Sequence, residues 1–310
     1  MVKIVEVQSE IYDLGKAKDI CTHIEKCGRT CYKSENLITD STAVPFISGI
    51  LKSGHESVIE HANVIYSMPL CDKNKEIFSL RDIRGLTVNV EKHPVSGEEV
   101  IVVSGNIRAL RDLARQRDVH DFLLLLGLDI FYIDPNGRRV FEGVKIEGIQ
   151  KSPFSELHNY VTTHSICDIG AYKDVTRHRF ASFSIESTRY CNYSKGKFGS
   201  ELTMIEPCNI EKGSALYAQW LETMEMIEKS YMKMAELGAK GDQLRMILPH
   251  SCKADMIMTA SVAAWKHIFA LRCHSAAHPS VRLVMKKALA NIYKLYPDFV
   301  EKLYQEFISA

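Results

Sequence analysis

The run at 177–190, RHRFASFSIESTRY, carries the densest set of polar side chains in this 310-residue sequence. It holds three arginines, one histidine and four Ser or Thr hydroxyl groups, separated by apolar residues. Arginine offers a planar fork of donors that suits phosphate, and hydroxyl and loop amide groups complete an anion cradle. The run therefore predicts a binding site for a phosphorylated ligand. The alternative is structural, with arginines in ion pairs between helices and serines that cap helices.

The overall charge means that such a site has to be built locally. The 39 Lys and Arg residues balance 38 Asp and Glu residues, for a formal net charge of +1. No global field therefore attracts nucleic acid or an anionic membrane. With 46% hydrophobic residues and nine prolines, the composition is that of a folded protein and not of a disordered chain. The longest apolar run, 122–128, is too short to span a bilayer.

The nine cysteines predict free thiols in a reducing cytoplasm. Their number is odd, and no CxxC pair is present to support a disulfide framework or a zinc site built from paired cysteines. The start of the sequence, MVKIVEV, reads as a short strand and not as a secretory signal. We expect a cytoplasmic protein without a metal site.

The elements that must position the polar run are read from the spacing of apolar residues. Strands are predicted at 62–68, 86–90, 99–103 and 159–167. Helices are predicted at 17–31, 41–53, 106–115, 118–126, 212–237, 242–248, 251–272 and 279–295, with a further helix from 170 running into a polar loop by 180. Strands come early and helices late, which indicates the α+β class. The turn-rich span at about 73–153 is interpreted as an insertion in a single domain covering 1–310.

Four segments, in the expected order, resemble the flavin-dependent thymidylate synthases. The signature of that family is Arg-His-Arg, seven residues and Ser, which here is Arg177-His178-Arg179 followed by Ser187. The other segments are Arg29–Ser34, Gly54–His61 and the C-terminal pair Leu244–Pro249 and Phe269–Arg272, the latter followed by Ala276–Pro279. The resemblance covers roughly 1–70 and 155–300, and it implies the fold of that family, a β-sheet flanked by helices.

The resemblance implies an enzyme that methylates dUMP to dTMP. In this family 5,10-methylenetetrahydrofolate supplies the one-carbon unit, and a bound FAD, reduced by NADPH, supplies the hydride. Family members are homotetramers whose active sites draw residues from several subunits. A related pyrimidine nucleotide hydroxymethylase, with the same cofactor and nucleotide sites, is the alternative.

The resemblance also implies individual site residues. The residues expected to contact the cofactor are Ser57, Arg177, His178, Arg179, Ile185, Ser261 and His267. The residues expected to contact the nucleotide are Asp174, Arg177, Glu186, Ser187, Thr188, Arg189, Arg245 and Arg272. Arg272 and Ser187 carry the catalytic expectations: Arg272 favours loss of the pyrimidine N3 proton by stabilising negative charge on the ring, and Ser187 binds and activates the nucleotide.

Three positions depart from the family pattern. Ile185 stands where many members have an acidic residue, although Glu186 follows it. Asp174 replaces a longer Gln or Glu, and Ser261 replaces an Asn at a cofactor contact. These changes affect individual contacts and not the reaction.

Three rival interpretations remain at this stage. Pro207-Cys208 invites comparison with the classical thymidylate synthases, which use a cysteine nucleophile after proline. Cys273, His274 and His278 suggest zinc, although a second paired half is missing and histidine caps explain two of them. A nucleic-acid binder would show a basic stripe, whereas the arginines here lie in one loop.

Overall fold

The computed structural model describes residues 2–12, 20–116, 145–147 and 151–309. The predicted α+β class is confirmed. The strands are β1 (Lys3–Val5), β2 (Gln8–Ile11), β3 (Asn63–Pro69), β4 (Leu86–Lys92), β5 (Glu99–Asn106), β6 (Lys145–Glu147), β7 (Tyr160–Asp168), β8 (Ala181–Ile185), β9 (Thr203–Ile205) and β10 (Lys253–Ser261). The helices are α1 (Ile20–Thr30), α2 (Ala43–Lys52), α3 (Ile107–Gln116), α4 (Ile169–Val175), α5 (Ala215–Glu236), α6 (Gly241–Leu244), α7 (Val262–Arg272), α8 (Pro279–Leu295) and α9 (Pro297–Tyr304).

The sheet that positions the polar run has the order β2-β7-β10-β8 and is antiparallel over the described residues. Met256 and Met258 of β10 face α4, α7 and α8 and form an apolar core with Trp265. The intervening Ile257 faces α1, where it packs on Cys27. Because successive strand residues point to opposite faces, both faces of β10 are buried.

The second sheet has the order β4-β5-β3-β6, again antiparallel within the described part of the chain. Three of these strands come from the span interpreted as an insertion; β5 and β6 pair with β3, which precedes that span, and β4 pairs with β5. Their apolar residues share a core with α1 and α2, for example Ile24, Ile47 and Ile101. The predicted helix at 118–126 lies outside the described residues.

The remaining elements pack beside the first sheet. β1 pairs in parallel with β9, and the long helix α5 covers the apolar cluster around them. Ser214 begins α5 by accepting a hydrogen bond from the Tyr217 amide, which is a standard N-cap contact. Within the described part of the chain, no helix is long and apolar enough to cross a membrane.

Two predictions about elements were wrong. The predicted helix at 251–272 is β10 followed by α7, because β10 is buried on both faces and so lacks the alternation that marks a half-exposed strand. The polar loop expected after 180 is instead β8, which extends the sheet beside β10. The helix predicted at 279–295 is confirmed as α8, as is the helical character of 212–237, where α5 lies.

Candidate functional site

The N-terminal segment Arg29–Ser34 packs against the end of β8. The Ser187 amide donates to the Cys31 carbonyl at 3.0 Å, and the rings of Tyr32 and Tyr190 meet edge to face with centroids 5.5 Å apart. Residues separated by more than 150 positions are thus held side by side. The fold joins two of the segments that carried the family resemblance.

The segment Gly54–His61 lies along the same strand. Tyr32 Oη and His55 Nδ1 are 2.9 Å apart. The Ser182 hydroxyl donates to Glu60 Oε2 at 3.0 Å, and His61 Nε2 lies 2.9 Å from Ser184 Oγ. Ser182 and Ser184 of β8, whose side chains point away from α4, α7 and α8, are therefore hydrogen-bonded to this segment.

A buried hydrogen-bond network underlies β8. His61 Nδ1 is 2.8 Å from the Thr259 hydroxyl, which is 2.7 Å from that of Thr162. Burial lowers the pKa of His61 to about 3, with a smaller effect from His23. His61 is therefore neutral at physiological pH, and its two ring nitrogens link β8 to β10.

Arg272, at the end of α7, is held by the signature segment. Its Nε donates to His178 Nε2 at 2.9 Å, and its Nη2 donates to the Asp174 carbonyl at 2.9 Å. Burial, then the Arg272 guanidinium, then His267 lower the pKa of His178 to about 4. His178 is therefore a neutral acceptor that orients Arg272, whose Nη1 has no hydrogen bond within the described residues.

The other signature residues lie at the surface beside this pair. The Arg177 guanidinium is 3.8 Å from the Asp174 carboxylate and largely exposed. Arg179 is exposed, and Phe180 is 86% exposed. The ring of His267 is 6.2 Å from that of His178. Five of the predicted site residues, Asp174, Arg177, His178, His267 and Arg272, thus form one surface cluster.

Glu186, one of the predicted nucleotide contacts, has a carboxylate that faces the protein interior. It accepts a hydrogen bond from Tyr193 Oη at 2.7 Å and from Lys253 Nζ at 3.0 Å, and Lys33 Nζ lies 3.1 Å away. Its side chain is fully buried. Glu186 therefore positions the loop that begins at Ser187 and does not present a carboxylate to a ligand.

Lys253 extends this ionic cluster along β10. It contacts both Glu186 and Asp255, and Asp255 lies 2.8 Å from His164 Nε2. Burial opposes the charged form of Lys253, but the two carboxylates outweigh it and raise its pKa. Lys33 belongs to the segment Arg29–Ser34, whereas Lys253 and Asp255 lie outside the segments that resemble the family.

The backbone groups of Ser187, at the start of the loop after Glu186, already have hydrogen-bond partners within the protein. The Ser187 amide is used by Cys31, and the Ser187 carbonyl accepts from the amides of Tyr190 and Cys191. Its hydroxyl, with no hydrogen bond within the described residues, is left for a ligand. Thr188 is buried. Arg189 is exposed and lies over the Tyr190 ring at 4.9 Å.

The segment containing Arg245 lies next to this loop. A Cβ on Gly241, the first residue of α6, would stand 2.5 Å from the Arg189 carbonyl, so glycine permits the close approach. Arg245 itself is exposed. The loop at 187–189 and Arg245 therefore form a second group of predicted nucleotide contacts.

The remaining predicted cofactor contacts are Ile185, Ser57 and Ser261. Ile185 pairs with Met256 in the sheet and its side chain joins the apolar core under α7 and α8, so only its backbone is available to a ligand. Ser57 is exposed on the turn before β3. Ser261 begins α7, where its hydroxyl accepts from the Ala264 amide at 3.2 Å.

A pocket of about 610 Å³ opens between the two sheets. The signature segment and the start of α7 contribute Arg179, Phe180, Ala181, Ser182 and Ser261 to its lining. The opposite wall includes Arg81, Arg84 and Arg108, which belong to the predicted insertion. Sequence reasoning missed these three arginines, because nothing in their local spacing marks them as neighbours of Arg179.

The two groups of predicted residues lie on different faces of the first sheet. Arg272 is on the face covered by α4, α7 and α8, whereas Ser187 is tied to the chain that follows α1. Across the described residues, no hydrogen bond or ion pair joins Ser187 to Arg272. The contacts of Arg272 are with Asp174 and His178, which precede β8, whereas Ser187 follows β8.

The residues behind the rival interpretations have ordinary structural contacts. His278 Nδ1 accepts the Ser280 amide at the start of α8, and His274 Nδ1 accepts the Ala276 amide. Cys273 is buried, and burial raises its thiol pKa to about 12. Cys208 lies at the surface, and partial burial raises the pKa of its thiol. A raised pKa opposes activation of that thiol as a nucleophile.

Comparison with known proteins agrees with the motifs. Residues 149–298 match the family model described as thymidylate synthase complementing protein. Over 142 residues the chain is 30% identical to the flavin-dependent thymidylate synthase of Pyrococcus abyssi, covering 45% of this chain and 57% of that protein. The corresponding protein of Pyrococcus horikoshii is 32% identical over 142 residues, covering 45% of this chain and 58% of that protein. The chain thus matches little more than half the length of these relatives.

Among solved structures, the chain is similar to the UMP/dUMP methylase PolB from Streptomyces cacaoi bound with 5-Br UMP. The TM-score is 0.41 at 20% sequence identity, over 49% of this chain and 75% of that chain. The predicted resemblance to the flavin-dependent thymidylate synthases is confirmed by the family model and these relatives. The segments at 29–34 and 54–61 precede the matched residues 149–298.

Proposed function

We propose that this chain, whose residues 149–298 match the flavin-dependent thymidylate synthase family, methylates dUMP to dTMP with 5,10-methylenetetrahydrofolate as the one-carbon donor. The observation that carries the proposal is the convergence on β8 and its flanking loops. Ser182, Ser184 and Ser187 bind the two N-terminal segments, and His178 binds Arg272 of the C-terminal segment. Residues far apart in sequence thus surround one strand and its exposed arginines.

The nucleotide is assigned to the loop after β8. Its phosphate requires cations and donors, and Arg189 and Arg245 are exposed beside the Ser187 hydroxyl. Glu186 supports the loop from beneath through its contacts with Lys33 and Lys253. Thr188, which is buried, contributes to the shape of the loop.

Arg272 is assigned to the pyrimidine ring. A guanidinium stabilises the negative charge that develops when the N3 proton is lost. Neutral His178 and the Asp174 carbonyl accept hydrogen bonds from Nε and Nη2 of Arg272 and so fix the guanidinium plane. Within the described residues, Nη1 has no hydrogen-bond partner that would compete with the pyrimidine. A charged His178 would repel Arg272, so its lowered pKa is part of this arrangement.

FAD is the cofactor assigned to the pocket between the sheets. The donor set fits a flavin dinucleotide, because Arg179 and Ser182 supply polar contacts and Phe180 and Ala181 supply apolar surface, and a volume of about 610 Å³ is suited to an organic ligand. When bound, the reduced flavin supplies the hydride that completes the methyl group. NADPH as reductant belongs to the same proposal.

We also propose a homotetramer with shared active sites. The contacts of Arg272 precede β8 and Ser187 follows it, and this separation supports a site to which two copies contribute. Phe180 and Leu271, which are 86% and 50% exposed, offer apolar surface beside the cluster for such a contact. The whole chain would act as one unit in a reducing cytoplasm, where its nine free cysteines are stable.

The partners in this proposal are small phosphorylated molecules, without nucleic acid or membrane. The exposed arginines are grouped at the pocket and the loop after β8 and do not form a stripe. His278 caps α8, His274 accepts the Ala276 amide in the turn before it, and Cys273 is buried, so no metal is assigned.

The test is product analysis with dUMP, 5,10-methylenetetrahydrofolate, FAD and NADPH. We expect dTMP, and we expect Arg272→Ala and Ser187→Ala to lose at least about 100-fold in turnover, in the range for lost transition-state donors. Lys229→Ala, an exposed cation on α5, is the matched control and should retain activity. A 5-hydroxymethyl product, or unchanged turnover in both site variants, would contradict the assignment.

A further inference from the structure

The wall of the pocket that faces Arg179 is built by the predicted insertion. Arg81 and Arg84 lie in the turn between a short helical segment at Lys75–Leu80 and β4, and both line the pocket. Both are exposed. Cations from two segments almost a hundred residues apart therefore line one pocket.

The backbone of this wall is closely fitted to β5. Gly85 has φ +90°, which favours glycine, and its carbonyl accepts the Asn106 amide at 3.1 Å. A Cβ on Gly105 would stand 2.2 Å from that carbonyl. The turn that carries Arg81 and Arg84 is therefore seated directly on the second sheet.

A polar bridge ties the wall to the signature strand. Arg108 of α3 forms an ion pair with Glu60 at 2.6 Å, and Glu60 accepts from Ser182 of β8 at 3.0 Å. Arg108 also lies 3.6 Å from Asp112. This bridge holds α3 against β8 and sets the width of the pocket.

The charges left after this bridge favour an anion. Arg108 is offset by Glu60 and Asp112, both of which line the pocket. The remaining charged lining residues are Arg81, Arg84, Arg179 and Asp82. Over the whole lining, four guanidinium groups stand against three carboxylates, a net charge of +1, and guanidinium forks match phosphate oxygens.

We propose that Arg81 and Arg84 of the insertion bind the phosphate groups of FAD opposite Arg179, so that the insertion contributes to cofactor affinity. This inference rests on the proposed function, since it takes FAD to be the ligand of the pocket. The isoalloxazine ring carries no phosphate, so these arginines distinguish FAD from riboflavin. Asp82, between them in sequence, opposes the phosphate charge.

The test is titration of the apoprotein with FAD and with riboflavin, followed by flavin fluorescence. We expect Arg84→Ala, and more strongly the Arg81→Ala/Arg84→Ala double variant, to weaken FAD binding by at least about 10-fold, as for loss of a charge-assisted hydrogen bond. Riboflavin binding should change by less than about twofold, because riboflavin lacks the phosphates. Asp82→Asn should strengthen FAD binding by about threefold, the size of a partly screened charge contact.

The control removes a cation of similar exposure elsewhere. Lys229→Ala should leave both affinities unchanged, and circular dichroism spectra of all variants should overlay, since each altered side chain is exposed. Unchanged FAD affinity in the double variant, or an equal loss for riboflavin, would overturn the inference while leaving the proposed function standing. A wild-type protein that does not bind FAD would overturn both.

Discussion

Removal of the Glu186 carboxylate should destabilise the protein substantially. In Glu186→Ala, the Tyr193 hydroxyl loses its acceptor and Lys253 and Lys33 lose a shared counter-charge. Breaking a buried ion pair by deleting one partner costs about 3–5 kcal/mol. The lower end applies here, because Lys253 keeps Asp255 and the Lys33 side chain is 25% exposed and reaches water. We expect a loss of about 3 kcal/mol in the free energy of unfolding.

The conservative variant separates charge from shape. Glu186→Gln keeps an oxygen that accepts from Tyr193 but removes the charge that faces two lysines. We expect a smaller loss, about 2 kcal/mol, in line with hydrogen bonds to charged groups. The difference between the two variants measures the part of the stability that comes from the remaining acceptor.

The assay is urea unfolding at pH 7, followed by far-ultraviolet circular dichroism and extrapolated linearly to water. Glu236→Ala is the matched control, because its ion pair with Lys233 is exposed on both sides. Such surface pairs contribute less than about 1 kcal/mol. A Glu186→Ala protein within about 0.5 kcal/mol of wild type would refute the conclusion that this carboxylate holds the loop after β8.

Three further outcomes are expected. Because burial holds the pKa of His61 at about 3 in the folded state, the unfolded state binds the proton first as the pH falls below about 6.5, and the free energy of unfolding should fall with the pH. His61→Gln should reduce the slope of the free energy of unfolding against pH by about 1.4 kcal/mol per pH unit between pH 6 and 4. Parallel curves for the variant and the wild type would argue against a buried neutral ring. Arg272→Leu should raise the pKa of His178 in an NMR titration, since the guanidinium is its second cause after burial; an unchanged titration would assign the shift to burial alone. Gly28→Ala should destabilise by about 1–3 kcal/mol through overpacking, because its Cβ would meet a ring carbon at 2.7 Å, whereas Gly49→Ala, with nothing within 4 Å, should stabilise by about 0.5–1 kcal/mol in the same urea assay.

Residues of the span interpreted as an insertion line part of the pocket. Residues 149–298, which match the family model, supply Arg179 and Ser182 to the pocket. Arg81, Arg84 and Arg108, which also line the pocket, precede the matched residues. Glu60 joins the two through Arg108 and Ser182. A change in the insertion can therefore alter the pocket without touching the signature residues.

The sequence by itself predicted an anion site and determined the long amphipathic elements. The spacing of arginines and serine at 177–187 indicated an anion site before any contact was known. The helical period of 279–295 was sufficient for α8, because one face of that helix packs on the sheet and leaves a regular apolar stripe. Local spacing reports local structure whenever one side of an element remains exposed.

Only the tertiary structure decided which residues meet. β10 was mistaken for helix because burial of both its faces removes the alternation of apolar and polar residues. Glu186 and Ile185 are adjacent in sequence, yet one joins an ion cluster and the other an apolar core, because successive strand residues point to opposite faces. Arg84 and Arg179 line one pocket although they lie beside different sheets, and such proximity leaves no periodic trace in the sequence.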